Sequence, residues 1–439
     1  MIGVSNDHYN DDIRIFIRGM FLNDVILGEL GGKDMQSTKK PLEGIKVIEL
    51  ANYVAAPIVG RICADMGAEV IKLEGRGGDA WRATSAGHTQ TEFDENPLFD
   101  IFNVGKKSIS LNLKTPEGKE IFFKLLEDAD ILITNTRNQS LVKLGVDYES
   151  LKERFPRLIY ATLTGYGYEG PDCNAPGFDN IAFWSRPGFS ADMSIDAPGS
   201  YPVNSRYAMG DTIAGTTLFG GVMTALYQRE KTGRGDFVTM SLYNAGIWAF
   251  GGSIVMAEKP YCHEFPEKRN FGVPTNLPFR CADGEWIRCT FFEFERYSER
   301  FFGALGMSDV LKEMGLINMA DSIAAAETLV PMFEKAFATK TSDEWLQIFR
   351  ELDVVCGRLN HFADVLEDEQ AWANTYIQKY QCTNGVERIL PTCPVRLGSH
   401  GAFEVGKPMM YGEHNNEVLQ SLGYDEATVA RLKETGTLS

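Results

Sequence analysis

The chain contains 439 residues, of which 44% are hydrophobic and 23% are charged, and its formal net charge is −17. These values are typical of a globular protein, and a chain of this length predicts two or three domains. The acidic charge argues against nucleic-acid binding, which needs a basic surface, but it is compatible with a local basic pocket for a small polyanion.

We interpret residues 1–40, which precede the first clear structural unit, as an N-terminal extension in which Met35 is a candidate start. The apolar run IRIFIRGMFLNDVILGEL within them is interrupted by Arg, Asn and Asp, so it predicts neither a signal peptide nor a transmembrane helix. The eight cysteines form no CxxC pair, and the histidines show no zinc spacing. These features predict a cytoplasmic protein with reduced thiols and without a metal site or membrane contact.

The first structural unit is a strand, a helix and a second strand. GIKVIEL (44–50) is rich in β-formers, Pro57 suits the first turn of a helix, Gly67 suits its end, and AEVIKLE (68–74) is again extended. Such a unit predicts two parallel strands joined by a right-handed crossover. The alternation continues with strands over 106–114, 130–135 and 157–167 and helices over 115–129, which Thr115 would cap, and 150–155. The pattern predicts a doubly wound, Rossmann-like α/β fold.

The character of the sequence changes near residue 243, where aromatic and charged clusters such as CTFFEFERYSERFFGALG begin. A turn at Asp283-Gly284 and a capped amphipathic helix over 341–353 predict a smaller α+β domain. The predicted organisation is therefore a large domain over 41–243, a linker over 244–266, a small domain over 267–350, and a linker that returns to the large domain over 351–439.

Two kinds of candidate phosphate site occur near the predicted strand ends. EGRGGD (74–79) follows a strand, but it matches neither a dinucleotide fingerprint nor a P-loop, so it is a turn or a ligand loop. Basic side chains near the turns are either phosphate ligands or solvated surface charges, and these are Arg76, Arg82, Lys106, Lys107, Lys114 and Lys143.

Two acidic residues stand at the start of helical segments. Asp179 precedes an aromatic run, and Asp211 follows Gly210 and precedes a stretch of small residues. Both are interpreted either as helix N-caps or as functional carboxylates. The small residues after Asp211 would let another backbone or a ligand approach closely. A helix N-terminus would also keep the Asp211 carboxylate ionised, as a nucleophile requires.

Six segments resemble a known family: GIKVIELANYVAAPIVGRICADMGAEVIKLE, FNVGKKSISLNLKTPEGK, PGFDNIAF, MGDTIAG, REKTGRGDFVTMSL and LEDEQAWANTYI. In this order, over residues 41–439, the chain resembles the family III CoA-transferases, which include formyl-CoA, carnitine and 2-hydroxyacyl CoA-transferases and the 2-methylacyl-CoA racemases. PGFDNIAFWSR and LEDEQAWAN are most similar to cinnamoyl-CoA:phenyllactate and 2-hydroxyisocaproate CoA-transferases.

The resemblance implies a Rossmann-like large domain, a small domain and an interlocked homodimer, with Asp211 as the catalytic residue. Where the family usually has Arg after the KLE acid this chain has Gly75, so we assign that role to Arg76. The small-domain glycine run of some members is missing here, which leaves the element that closes the site unidentified. The implied CoA contacts are Val54, Ala55, Arg76, Leu111, Lys114, Asn135, Thr136, Arg137 and Lys143.

The resemblance also implies the chemistry. Asp211 would attack an acyl-CoA to form a mixed anhydride, CoA thiolate would convert this to an aspartyl-CoA thioester, and the acceptor acid would reverse both steps. A CoA thioester is then a substrate, and no permanently bound cofactor, ATP or metal is needed. The expected acceptor is an (R)-2-hydroxy acid with an aromatic or branched side chain, and a 2-hydroxyacyl-CoA dehydratase is a further expected partner.

The expected substrate residues are Asp179, which would position the acyl group, and Phe183 and Trp184, which would form a bulky pocket or else belong to the core. Arg186 would hold the acceptor carboxylate or be a surface charge. The alternative functions are a non-catalytic CoA-binding subunit, a dinucleotide oxidoreductase and a 2-methylacyl-CoA racemase. Racemases carry His where this chain has Phe178, which cannot transfer a proton.

Overall fold

A computed structural model of the protein describes residues 39–439, apart from residues 196, 197, 207, 260, 266 and 271. The predicted extension over 1–40, including Met35, lies outside the described residues except for its last two positions. Within the described residues no helix is both long enough and apolar enough to cross a membrane.

A parallel six-stranded sheet forms the centre of the fold, and the alternating sequence pattern predicts five of its strands. Its strands are β1 Lys46–Leu50, β2 Glu69–Glu74, β3 Lys107–Ser110, β4 Ile131–Thr134, β5 Ile159–Thr164 and β6 Phe237–Ser241. They are ordered β3-β2-β1-β4-β5-β6, so the chain changes winding direction between β1 and β4. Val47, for example, pairs with Val70 on one side and with Ile131 on the other. Ligands of open α/β sheets bind at such a switch point, beyond the carboxyl ends of the strands.

Eighteen α-helices occur in the described residues, most of them on the two faces of this sheet or around a second, smaller one. They are α1 Ala55–Asp65, α2 Ala80–Thr89, α3 Pro97–Asp100, α4 Pro116–Glu127, α5 Asn138–Leu144, α6 Tyr148–Leu151, α7 Phe189–Asp192, α8 Met209–Thr232, α9 Leu242–Ala249, α10 Gly251–Met256, α11 Phe294–Ala304, α12 Ser308–Glu313, α13 Met319–Ala324, α14 Ala326–Phe337, α15 Ser342–Glu351, α16 Glu369–Ala373, α17 Asn415–Ser421 and α18 Glu426–Glu434. A π-helical turn spans Asn180–Ser185, and 3₁₀ turns span Pro274–Asn276 and Asp364–Leu366.

Both faces of the large sheet are covered, which is why most residues of β1 to β5 are buried. One face packs against α1 and α8, where Val59 and Leu218 are buried. The other packs against α4 and the C-terminal helices, where Phe122 and Leu419 are fully buried. The C-terminal segment therefore completes the core of the large sheet.

Local sequence signals explain most helix boundaries in this region. The Thr115 side chain accepts a hydrogen bond from the Gly118 N–H, which confirms the predicted cap of α4. Gly67 follows the C-cap of α1 and has a φ of 100°, in the left-handed region that favours glycine. The predicted helix over 150–155 is instead the shorter α6, whose Asp147 cap starts it earlier.

A second, antiparallel sheet consists of β7 Pro278–Arg280, β8 Trp286–Cys289 and β9 Cys356–Arg358, in that order. Helices α11, α14 and α15 pack around it, and the core contains Phe279, Phe301 and Phe337. Because β9 pairs with β8, this unit extends beyond the predicted boundary at residue 350. A hairpin of β10 Ile377–Gln381 and β11 Glu387–Pro391 follows. The domain boundaries given from the sequence stay a prediction.

Candidate active site

A cavity of about 430 Å³ opens at the carboxyl edge of the large sheet, at the switch point. Loops that follow β1, β4 and β5 form its walls together with the start of α8. Its lining residues are Asn52, Tyr53, Ala55, Asn135, Thr136, Arg137, Asn138, Ser140, Leu163, Thr164, Gly165, Gly167, Tyr168, Cys173, Asn174, Ala175, Pro176, Gly177, Phe178, Asp211 and Leu242. Asp211 is the only carboxylate among these described lining residues.

Asp211 is the third residue of α8 and not its cap, which excludes the capping interpretation for this residue. The N-cap position is Ala208, which has a φ of 57° and no side chain able to cap. Gly210 has no alternative in this geometry, since a Cβ there would collide with the Phe183 ring and with Asp179 Oδ1. The Gly-Asp pair thus lets the helix start close to both groups.

Asp179 supplies the missing cap from a distant segment. Its Oδ1 accepts a hydrogen bond of 2.9 Å from the Asp211 N–H, although the two residues are 32 positions apart. The capping interpretation therefore holds for Asp179, but on α8 and not on the π-helical turn that Asp179 precedes. Asp179 is not among the residues that line the cavity, and it contacts Asp211 through the backbone N–H.

The electrostatics of Asp211 differ from the sequence expectation. Burial, followed by repulsion from Asp179, raises the pKa of Asp211 to about 7. The helix terminus therefore does not hold the pKa of Asp211 low, contrary to the sequence expectation. Burial also raises the pKa of Asp179, against a lowering contribution from the Asp211 N–H. The two carboxyl groups form an interacting pair.

Small residues in α8 serve helix packing. A Cβ on Gly215 would collide with the backbone oxygen of Ala55 and crowd Ile58, so α8 and α1 approach each other backbone to backbone. This confirms that another backbone comes close at this stretch. It also fixes Asp211 relative to Ala55 at the start of α1.

The N-terminus of α1 opens on the cavity. No side chain caps this helix at its Val54 N-cap, and Ala55, its first residue, lines the cavity. The first N–H groups of a helix have no partner within the helix, and the helix dipole is positive at this end. The terminus is therefore suited to an anionic ligand or a developing oxyanion.

A network of buried charged residues positions the loop that follows β1. Tyr53 has a φ of 62°, and its N–H donates to Asp79 Oδ1 at 2.9 Å. Lys72 pairs with Asp79 and with Glu49, each at 2.9 Å, and Lys106 pairs with Glu49 at 2.8 Å. This strained loop residue is thus positioned by charges that have no contact with solvent.

This network corrects two sequence interpretations. Lys106 and Arg82 are neither surface charges nor phosphate ligands, because they are buried in ion pairs with Glu49 and Glu74. In EGRGGD, the acids at both ends are structural, since Glu74 binds Arg82 and Asp79 caps α2. Lys107 is a partly exposed ion-pair partner of Glu69 and Glu417.

The predicted CoA contacts are placed in three different ways. Ala55, Asn135, Thr136 and Arg137 line the cavity, and Arg137 is exposed at the N-cap of α5. Asn135 also clamps the neighbouring loop, since its side chain accepts from the Asn52 N–H and donates to the Asn52 carbonyl. The others are outside the lining: Val54 and Leu111 are buried, and Arg76, Lys114 and Lys143 are exposed.

The predicted substrate aromatics belong to the core. Phe183 is fully buried and Trp184 is 6% exposed, and neither lines the cavity. The sequence analysis assigned no binding role to Phe178. This residue lines the cavity and its side chain is 57% exposed. Its ring meets the Tyr53 ring edge to face at 5.4 Å. The sequence information that could have identified Phe178 is its position directly before Asp179.

Arg186 is engaged outside the cavity. Its guanidinium pairs with Asp172 at 2.7 Å and lies over the Tyr166 and Tyr243 rings. It is therefore held as a partly exposed ion pair, and a direct role in holding a substrate carboxylate is not supported by its placement.

Comparisons with known proteins identify the family of the chain. The family described as CoA-transferase family III matches residues 42–415. The chain is 39% identical to a cinnamoyl-CoA:phenyllactate CoA-transferase of Clostridium sporogenes, over 91% of this chain and 98% of that protein. It is 36% identical to an (R)-2-hydroxy-4-methylpentanoate CoA-transferase of Clostridioides difficile, over 90% and 98%.

Among solved structures, the orthorhombic form of Rv3272 from Mycobacterium tuberculosis superposes with a TM-score of 0.76 at 26% identity, covering 87% of this chain and 100% of that one. The matched segment contains both the cavity and Asp211. The chain therefore belongs to CoA-transferase family III, as its sequence resemblance indicates.

Proposed function

We propose that this CoA-transferase moves CoA from an acyl- or enoyl-CoA to an (R)-2-hydroxy acid with an aromatic or branched side chain, with Asp211 as the nucleophile. The observation that carries the proposal is that Asp211 is the one carboxylate among the described residues that line the cavity. Its pKa of about 7 leaves a large ionised fraction at neutral pH. Two relatives whose names specify 2-hydroxy acids support the substrate class.

In the proposed reaction, an Asp211 oxygen attacks the thioester carbonyl and CoA leaves as the thiolate, giving a mixed anhydride. The thiolate then attacks the Asp211 carbonyl of the anhydride and releases the donor acid. The acceptor carboxylate attacks the resulting aspartyl-CoA thioester, and CoA returns to the acceptor's acyl carbon. Each attack creates an oxyanion, for which the free N–H groups at the start of α1 are the proposed donors.

For CoA itself, we assign the phosphates to the carboxyl edge of the sheet. Arg137 lines the cavity there, and Arg76 and Lys114 follow β2 and β3 at the same edge. Parallel strands end at one side of a sheet, so these cations share a rim although the strands are far apart in sequence. No permanently bound cofactor enters this scheme.

The proposed assembly is an interlocked homodimer, with a 2-hydroxyacyl-CoA dehydratase as a further partner. Large exposed apolar side chains support an interface with a second copy, among them Trp248 at 83% and Phe362 at 87% exposure. Light scattering during gel filtration tests the dimer, and a monomer at micromolar concentration would contradict it.

For the acyl side chain, we propose the Phe178 and Tyr53 rings as the apolar wall, in place of Phe183 and Trp184. Covering one aromatic ring is worth about 2–3 kcal/mol. Phe178→Ala should therefore lower kcat/KM for phenyllactate about 10- to 100-fold while changing that for lactate little. Phe93→Ala, an exposed ring outside the cavity lining, is the control.

The central experiment is trapping of the covalent intermediate. Incubation with cinnamoyl-CoA and hydroxylamine should convert Asp211 to a hydroxamate, located by peptide mass spectrometry. A hydroxamate on Asp179 with Asp211 unmodified would reverse the two roles. No acyl exchange by the purified wild type would favour the non-catalytic subunit.

A further inference from the structure

Two cysteines of the small sheet face each other across neighbouring strands. β8 and β9 are antiparallel, and Cys289 is directly opposite Cys356. The Leu359 N–H donates to the Trp286 carbonyl at 2.8 Å, and the Thr290 N–H donates to the Val355 carbonyl at 3.0 Å. Hydrogen-bonded and non-hydrogen-bonded pairs alternate along such a ladder, so Cys289 and Cys356 form a non-hydrogen-bonded pair.

That position brings the two thiols within bonding reach. Cα atoms of non-hydrogen-bonded pairs are about 4.5 Å apart, and disulfides occur at Cα separations of about 4.4–6.8 Å. All eight cysteines are free thiols in the described chain. We propose that Cys289 and Cys356 are a dithiol modification site, which a low-molecular-weight disulfide oxidises reversibly to a cross-strand disulfide.

The two thiols differ in solvent exposure, and thiol–disulfide exchange needs one exposed thiol to react first with the small disulfide. Cys356 is on β9, at the edge of the sheet, and is partly exposed, whereas Cys289 is 1% exposed in the core. A hydrogen bond from Cys289 lowers the pKa of Cys356, while burial raises the pKa of Cys289. Cys356 is thus the attacking thiolate and Cys289 the resolving thiol.

The exchange balances without a further reactant. The Cys356 thiolate attacks one sulfur of the small disulfide and releases one thiol, which leaves a mixed disulfide on Cys356. Cys289 then loses its proton and attacks Cys356 Sγ, so a second small thiol leaves. The protein has lost two hydrogens and the small disulfide has gained them. The product joins β8 to β9 and closes the chain around α11 to α15.

The test uses the full chain and oxidised glutathione. After incubation, free thiols are blocked with N-ethylmaleimide and the protein is digested without reductant. We expect two of the eight thiols to be lost and one linked peptide pair to contain Cys289 and Cys356. Dithiothreitol should restore both thiols.

Matched variants identify the pair. Cys356→Ser should abolish the linked peptides and leave Cys289 alkylated, whereas Cys281→Ser, which removes another thiol of the same core, should leave the link intact. The proposal is overturned if wild-type Cys289 and Cys356 are both alkylated after treatment. A stable glutathione adduct on Cys356, or a link to Cys281, would overturn it equally. The outcome is independent of acyl transfer.

Discussion

The two larger sheets of the described chain differ in what lies beside them in the core. Beneath the cavity, the side chains of Glu49, Lys72 and Lys106 are fully buried and joined by ion pairs of 2.8–2.9 Å. The three-stranded sheet instead encloses aromatic rings, with Phe279 stacked on Phe337 at 4.7 Å. Buried ion pairs add little net stability relative to apolar packing, but breaking one is costly. Charge is thus placed where it positions a loop, and rings where packing alone is needed.

The largest expected effect on activity is that of replacing the Asp211 carboxyl group. Asp211→Asn should abolish CoA transfer, because an amide cannot form the anhydride, while the fold survives. Ionised Asp211 costs folding free energy, since its pKa of about 7 is above the unfolded value of about 3.9. The stability advantage of the variant should therefore grow as pH rises from about 4 to 7. Near-normal turnover in the folded variant would contradict the nucleophile assignment.

The comparison of the two cores is tested most directly by one substitution in each. Lys72→Met leaves Glu49 and Asp79 without their shared cation, so we expect a loss of about 3–5 kcal/mol of unfolding free energy. It should also lower kcat/KM, because the Tyr53 loop depends on Asp79.

Phe337→Leu is the matched change in the aromatic core. It should cost about 1–3 kcal/mol and leave kcat/KM unchanged. Denaturant unfolding and steady-state kinetics measure both variants. Equal kinetic losses in the two would mean that the buried charges do not position the loop.

A smaller effect is expected on the pH dependence of transfer. Wild-type kcat/KM should rise between pH 5 and 8 with a midpoint near 7, because the carboxylate form of Asp211 attacks. In Asp179→Asn the amide oxygen still caps α8 but the negative charge is gone, so the midpoint should move to lower pH. Asp172→Asn, in an exposed ion pair with Arg186, is the control and should not shift it.

The sequence predicted the features of the fold that depend on local residue patterns. Five of the six parallel strands follow from the sequence pattern. Asp211, which the Gly-Asp pair and the family resemblance indicated, lines the cavity, and its catalytic role stays a prediction. It failed where position depends on distant segments. The role of Lys72 depends on Glu49 and Asp79, which are on other elements. Likewise, the Cys289–Cys356 pair depends on a register that connects strands far apart in the chain.

The aromatic residues show the same limit at shorter range. Phe178 and Phe183 are only five positions apart, but Phe178 precedes the π-helical turn and lines the cavity, whereas Phe183 lies within the turn and is buried in the core. A π-turn has no distinct sequence signal, and the hydrophobicity of the two residues is identical. Their opposite placements could be found only from the folded chain.

The backbone contact between Gly215 and Ala55 fixes the position of Asp211 independently of the side chains around the cavity. The spacing between Asp211, the proposed nucleophile, and the N-terminus of α1 is set by two backbones in contact, so exchange of side chains around the cavity should leave it unchanged. Phe178 and Tyr53 line the cavity, and their rings meet edge to face. If these rings bind the acyl side chain as proposed, substitution of the two rings should change the accepted acid while the reacting centre stays the same.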